Sequence, residues 1–278
     1  MKSLLIRTVL PILSLAMFFG ACKTEKNEPD STPNSDPYAE LYKIGEAEDA
    51  NAGVKLSFYL KKEAFVGYNH AYVVVTDLVT GDRIENATVS FMPMMDMGSM
   101  MHSSPFEQPV WSEDAKAYHG TITYIMPSMA GTWTVKVIAE NLPSSVIAEH
   151  TFTINVIEPA EARLYSFLST TDNSKIFVAL VEPVSPKTGL NPFNVVVYKK
   201  ETMMNFPAVA QLSIEIDPEM PTMGHGSPNN VDPVYVDHGH YNGTVNFTMT
   251  GYWKVNMVIK DANGSMMKDD AFFDITFQ

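Results

Sequence analysis

Downstream of residue 38 the chain is dominated by apolar and polar residues that alternate one for one. In Trp133-Thr134-Val135-Lys136-Val137 the odd positions are apolar and the even ones polar, and Trp253-Lys254-Val255-Asn256-Met257 repeats the pattern. Phe152, Ile154 and Val156 alternate with Thr151, Thr153 and Asn155, and Phe273, Ile275 and Phe277 end the chain in the same way. A period of two puts successive side chains on opposite faces of a strand, so each segment predicts a strand with one face in a core. No stretch carries a convincing helical period. About seven such strands in each of two stretches of about 110 residues predict an all-β chain of two tandem immunoglobulin-like antiparallel β-sandwiches.

The two stretches read as copies. Gly67-Tyr68-Asn69, with Val73-Val74-Val75 after it, matches Gly189-Leu190-Asn191 with Val195-Val196-Val197. Met97-Gly98 with Ser104-Pro105 matches Met223-Gly224 with Ser227-Pro228. Tyr118-His119-Gly120-Thr121 matches Tyr241-Asn242-Gly243-Thr244, and Met129-Ala130-Gly131-Thr132-Trp133 matches Met249-Thr250-Gly251-Tyr252-Trp253. The matches keep one order at offsets of roughly 120 to 126 residues, which duplication explains most simply.

The first residues follow another pattern. Lys2 and Arg7 flank an uncharged apolar run, Thr8 to Phe19, that closes on Gly20-Ala21-Cys22. The run is about half the roughly 20 residues needed to span a bilayer, so a secretory signal is the better reading. Small residues before a cysteine resemble the lipobox of bacterial lipoproteins, in which the cysteine is lipidated. Phe19 departs from that pattern, where leucine is usual. Lys23 to Pro37 is polar and proline-rich and cannot bury enough surface to fold. The expected organisation is therefore a signal peptide over 1–21, a lipidated Cys22 with a linker over 22–37, and domains over 38–157 and 158–278 that join at Glu158–Glu161. Lys23 in place of Asp after the cysteine resembles proteins sent to the outer membrane.

Charge and cysteine narrow the chemistry. The formal net charge is −13, and loss of the signal segment removes Lys2 and Arg7 and leaves the rest more acidic. That argues against nucleic acid and anionic lipid as partners and is compatible with cations. Cys22 is the only cysteine, so no intrachain disulfide forms and no thiolate remains for a metal.

Methionine replaces it. Six of the eighteen methionines fall between Met92 and Met101, in a segment expected to be a loop because Pro93, Gly98 and Ser99 interrupt regular structure. Thioether and imidazole donors suit Cu(I), so Met94, Met97, Met100, Met101 and His102 are candidate ligands. In the second copy the candidates are Met220, Met223, His225, His238 and His240. Alternation would place His238 and His240 on one strand face, about 7 Å apart. With more imidazoles, that site would suit Cu(II) or zinc as well as Cu(I). His70, His119 and His150 read as incidental, with His119 an alternative fourth ligand in the first copy. Met92 and Met257 fit plain packing. A second reading makes the methionine loops a docking surface for an apolar partner, without metal. Catalysis has little support, since no cysteine nucleophile and no Gly-x-Ser-x-Gly elbow is present. Water activation on zinc by Asp237, His238 and His240 lacks a recognisable base.

In each copy the motifs run Gly-x-Asn with a valine strand, Met-Pro and Met-Gly, Tyr-x-Gly-Thr, then Gly-x-Trp. This order resembles the YtkA-like domain, a small immunoglobulin-like sandwich of exported bacterial proteins, over about 80 residues of each copy. The resemblance is closer in the first copy; in the second, Gln211 to Asp217 departs from the family's small-residue strand. It implies a context of copper handling or heavy-metal efflux, and with it a metal-efflux or copper-delivery protein as partner.

Overall fold

Trp133, Val135, Val137 and Ala139 lie on one side of a single strand and are all fully buried, so the alternation of the sequence is realised as packing. A computed structural model describes residues 37–278. The signal segment, Cys22 and the linker up to residue 36 lie outside the described residues. Tyr38–Gln278 forms one compact unit that contains two separate hydrophobic cores.

The first half contains β1 (Tyr42–Asp49), β2 (Val54–Leu60), β3 (Gly67–Asp77), β4 (Thr88–Asp96) and β5 (Met101–His102). It continues with β6 (Phe106–Ser112), β7 (Ala117–Tyr124), β8 (Thr132–Glu140) and β9 (Ala148–Ile154). One 3-10 turn, Ser128–Ala130, precedes β8. The second half contains β10 (Leu164–Leu168), β11 (Lys175–Glu182), β12 (Gly189–Lys200), β13 (Ser213–Met220) and β14 (His225–Gly226). It ends with β15 (Val231–Tyr235), β16 (His240–Phe247), β17 (Gly251–Lys260) and β18 (Met266–Phe277). Each half thus has nine strands where the alternation predicts about seven. The two-residue β5 and β14 are too short to leave a period in the sequence.

Both halves have the same topology. A five-stranded sheet, β1-β2-β3-β7-β6, covers a four-stranded one, β5-β4-β8-β9. In the second half β10-β11-β12-β16-β15 covers β14-β13-β17-β18, and all pairings are antiparallel. The described residues are all-β, two tandem antiparallel sandwiches.

The repeated motifs prove to be folding devices. Gly67 and Gly189 take φ of +134° and +97°, which side chains rarely adopt. The Asn side chain two residues later staples that turn: Asn69 Nδ2 donates to the carbonyls of Phe65 and Gly67, and Asn191 Nδ2 to those of Lys187 and Gly189. Tyr118 Oη accepts from Ala87 N and donates to Ile84 O; Tyr241 Oη does the same with Leu212 N and Val209 O. Each tyrosine therefore ties a loop to the core. At Gly120 a Cβ would lie 2.6 Å from the Glu107 carbonyl, and at Gly243 2.6 Å from that of Val231. Irregular stretches of β6 and β15 press their backbone onto these glycines.

The first sandwich keeps hold of the chain to Ile157, whose amide and carbonyl bond Ala64 O and Val66 N. The sandwiches then meet through the outer faces of their five-stranded sheets. Tyr68 of β3 packs on Ala179, Val196 and Tyr198 of β11 and β12. His240 Nε2 donates to Glu107 Oε1 at 2.7 Å, and Ser103 N to Met203 O at 2.8 Å.

Candidate metal centre

The methionine cluster divides along the pleat of β4. Phe91 to Asp96 is strand, not loop: β5 and β8 pair with it, and only Met97 to Met100 forms the turn. Proline fits within β4 because β5 covers only Met95 and Asp96. Where that edge is free, Gln108 Oε1 accepts from Phe91 N and Ser103 Oγ donates to Pro93 O. Alternation then sends neighbouring thioethers opposite ways. Met95 is fully buried and Met97 packs on the core, whereas Met100 and Met101 are exposed and Met94 is half-exposed. The five candidates of the first copy therefore form two groups.

In the buried group one candidate, His102, faces a further donor, Met126. His102 is 5% exposed, and its Nδ1 donates to the carbonyl of Ser103 at 2.7 Å. The carbonyl accepts only from a protonated nitrogen, so in the neutral ring Nε2 carries the lone pair. That nitrogen lies 3.1 Å from Sδ of Met126. Two lone pairs aimed at each other gain nothing by themselves. One cation bonded to both would place them about 3.0–3.7 Å apart, from metal–nitrogen and metal–sulfur bonds of about 2.0 and 2.3 Å. Trp133 fixes both partners: its indole meets the imidazole edge-on at 5.4 Å, and its Nε1 donates to Met126 O. Gly131 leaves room for the terminal methyl of Met95, which a Cβ there would approach to 3.1 Å.

The second copy repeats the frame. Met220 pairs with His225 as Met95 pairs with His102. His225 Nδ1 donates to Gly226 O at 2.9 Å, its ring meets Trp253 at 5.9 Å, and Trp253 Nε1 donates to Met249 O. A Cβ at Gly251 would again lie 3.1 Å from the methyl of a methionine, here Met220. The second frame is more open: Met223 is 57% exposed and Met249 37%.

Sequence reasoning missed Met95 and Met126 and misaligned the latter. The motif pairs Met129 with Met249, yet Met129 is 98% exposed on the 3-10 turn. The residue beneath the indole is Met126. Its only signal was the repeated tryptophan, whose ring nitrogen needs an acceptor when buried.

His238 and His240 do not form the expected pair. His240 N bonds Asp237 O in a tight turn, His238 takes φ of +41°, and its side chain is exposed beside Asp237. His240 turns to Glu107 across the domain boundary, while His225 belongs to the other sheet. Among the described residues no three His, Cys, Asp or Glu side chains come together. The imidazole-rich centre expected for Cu(II) or zinc is not assembled, because turn geometry replaces the strand that would have aligned it.

His70 and His119 are partners rather than incidental residues: Nδ1 of one lies 2.9 Å from Nε2 of the other on adjoining strands β3 and β7. Both are on the outer face of the five-stranded sheet, so His119 does not serve His102. Burial pushes the His70 imidazole down to about 4, with the nearby His119 adding to the shift, and burial also lowers His119. Burial alone would raise the Glu107 carboxyl, but the hydrogen bond and charge of His240 hold it below its ordinary value. Only the register of β3 and β7 brings these side chains together, and register is not written in the local sequence. His150 is exposed against Phe152.

No curated protein matches the sequence. Among solved structures, the chain is similar to FdeC, a broadly conserved Escherichia coli adhesin, at 12% identity and a TM-score of 0.25, over 78% of this chain and 63% of that one. It is also similar to the Yersinia pseudotuberculosis adhesin InvE, at 14% identity and a TM-score of 0.25, over 81% of this chain and 60% of that one. The chain thus spans less than two thirds of either adhesin structure, and superposition at that level carries no argument about activity. A family model does match, in the second copy, although the motifs predict the closer resemblance in the first. The match runs through Gln211 to Asp217, where a departure from the family is expected, and β13 keeps the place that β4 has in the first sheet. Residues 171–258, most of the second sandwich, match the YtkA-like family model.

Proposed function

We propose that the protein is a membrane-tethered, extracytoplasmic lipoprotein that captures copper as Cu(I) through its two Met–His–Trp frames and holds or relays it. The supporting observation is the 3.1 Å approach of Met126 Sδ to Nε2 of His102, the nitrogen that keeps its lone pair in the neutral ring, with the imidazole held by Ser103 O and the Met126 carbonyl by Trp133. A borderline imidazole nitrogen and a soft thioether sulfur aimed at one point suit Cu(I) better than harder ions. The duplication of the frame around His225 and Trp253 supports a function shared by both domains. Binding rather than catalysis is proposed, since Asp237, His238 and His240 are not gathered around a common point. Tethering through Cys22, the outer membrane as its site, and a copper-delivery or efflux protein as recipient belong to the same reading.

The test is a competition titration of residues 38–278 with Cu(I) under reducing conditions. Near-stoichiometric uptake is expected, with His102→Leu and Met126→Leu each weakening one event. No binding tighter than about 1 mM, on the order of 4 kcal/mol, would sink the proposal.

A second reading is favoured by the exposure of Met100 and Met101, at 47% and 54%, beside half-exposed Met94: a thioether surface that docks an apolar partner without metal. Leucine at these three positions preserves size and apolarity. It would leave partner capture intact under this reading.

A further inference from the structure

We infer that the Met203–Met204 turn of the second domain supplies thioether ligands to the first domain's metal site, so that this site is shared between domains. The inference rests on the Cu(I) reading above. Its starting point is a bond that crosses the domain boundary. Ser103 N donates to Met203 O at 2.8 Å, and the carbonyl of the same Ser103 holds the Nδ1 of His102. Met203 is thus one backbone hydrogen bond from the residue that orients the imidazole.

The placement sets exposed methionines on either side of that bond. Met101 lies two residues before Ser103, about 7 Å along an extended chain, and β5 has its free edge towards Met203. Met101, Met203 and Met204 are 54%, 42% and 51% exposed. Three large apolar side chains in water at a domain junction do nothing for either core, and exposed thioethers are open to oxidation.

The turn is also built to present them. Thr202 Oγ1 accepts from both Met204 N and Asn205 N, Glu201 N donates to Asn205 O, and Asn205 Nδ2 donates to Glu201 Oε2. Such a local network fixes a turn before any ligand arrives, which lowers the ordering cost of binding. The corresponding connection of the first domain, between β3 and β4, contains no methionine. Methionine therefore occurs in this connection only in the copy whose turn abuts the other domain's histidine strand. His102 and Met126 provide one nitrogen and one sulfur, and soft donors from the turn would complete a Cu(I) sphere without thiolate.

The experiment uses residues 38–278 with Ag(I), a redox-silent soft cation, and follows methionine methyl resonances by NMR alongside affinity from competition. The methyl signals of Met203 or Met204 are expected to move with that of Met126 in one saturating step. Met203→Leu/Met204→Leu should weaken that step about tenfold and leave the step reported by Met249 unchanged. If Met126 shifts while both turn methyls stay still and the double variant binds within twofold of the parent, the shared site is overturned and the Cu(I) reading stands. If no methionine methyl responds, both fall together.

Discussion

Nε2 of His240 in the second domain donates a 2.7 Å hydrogen bond to the carboxylate of Glu107 in the first, and the two side chains are only 20% and 31% exposed. Tyr198 Oη reaches the same oxygen at 3.4 Å. One carboxylate thus gathers two donors of the opposite domain, beside the apolar contact made by Tyr68. Glu107→Ala leaves a buried tyrosine hydroxyl and a partly buried imidazole without this acceptor, which costs more than the bonds were worth. The expected result is loss of coupling: a single calorimetric unfolding transition of residues 38–278 becomes two, while each domain keeps its far-ultraviolet signature.

Acid should act first on the His70–His119 pair. An unfolded histidine takes up its proton near pH 6.5, and the folded His70 ring does so only at about 4. Between those values the unfolded chain binds more protons, so stability rises with pH. The contribution is complete above about pH 6.5 and is lost as the pH falls towards 4. His70→Leu should flatten the dependence of the thermal midpoint over that window. An unchanged slope would show that the pair does not govern it. The Glu107 carboxyl adds a further loss at lower pH, because it is held below its ordinary value in the fold.

Glycines that carry the repeat motifs should be costly to replace. A Cβ at Gly120 or Gly243 meets backbone at 2.6 Å, with a second backbone atom at 2.9 or 2.8 Å. Gly120→Ala and Gly243→Ala are each expected to destabilise by about 1–3 kcal/mol. At Gly98, where nothing lies within 4 Å but φ is +79°, alanine pays only the left-handed penalty of about 1–2 kcal/mol. Denaturant midpoints of the three variants test that order.

The two metal events should differ in strength. His102 and Met126 already converge in a buried frame, whereas Met223 and Met249 remain well exposed around His225. Less ordering is left to pay for in the first frame, so it should bind Cu(I) more tightly. Competition titration should show His102→Leu weakening the tighter event and His225→Leu the other. Met129→Leu, which changes a side chain that is 98% exposed, should alter neither.

Strand identity was legible because Trp133 to Val137 and Trp253 to Met257 alternate without interruption, and the duplication was legible because Gly-x-Asn and Tyr-x-Gly-Thr are tied to backbone geometry. The candidate site was legible only as a composition. Methionine density singled out one hairpin, in which neighbours such as Met94 and Met95 point to opposite faces. Met126, on another strand connection, is brought in by packing under Trp133. Apparent alternation at His238 and His240 misled because a turn with positive φ stands where a strand was expected. Contacts such as Glu107–His240 depend on how two finished domains meet, and no local pattern encodes that.

Two of the three tryptophans, Trp133 and Trp253, lie edge-on against the imidazoles of the two candidate sites, and the third, Trp111, packs on Tyr118 of the first sheet. The chain therefore carries an optical reporter in each domain. Filling of either site can be followed by the emission of its own indole, and Trp133→Phe or Trp253→Phe would silence one channel at a time. Were copper to enter as proposed, the two indoles would give a label-free record of which domain fills first.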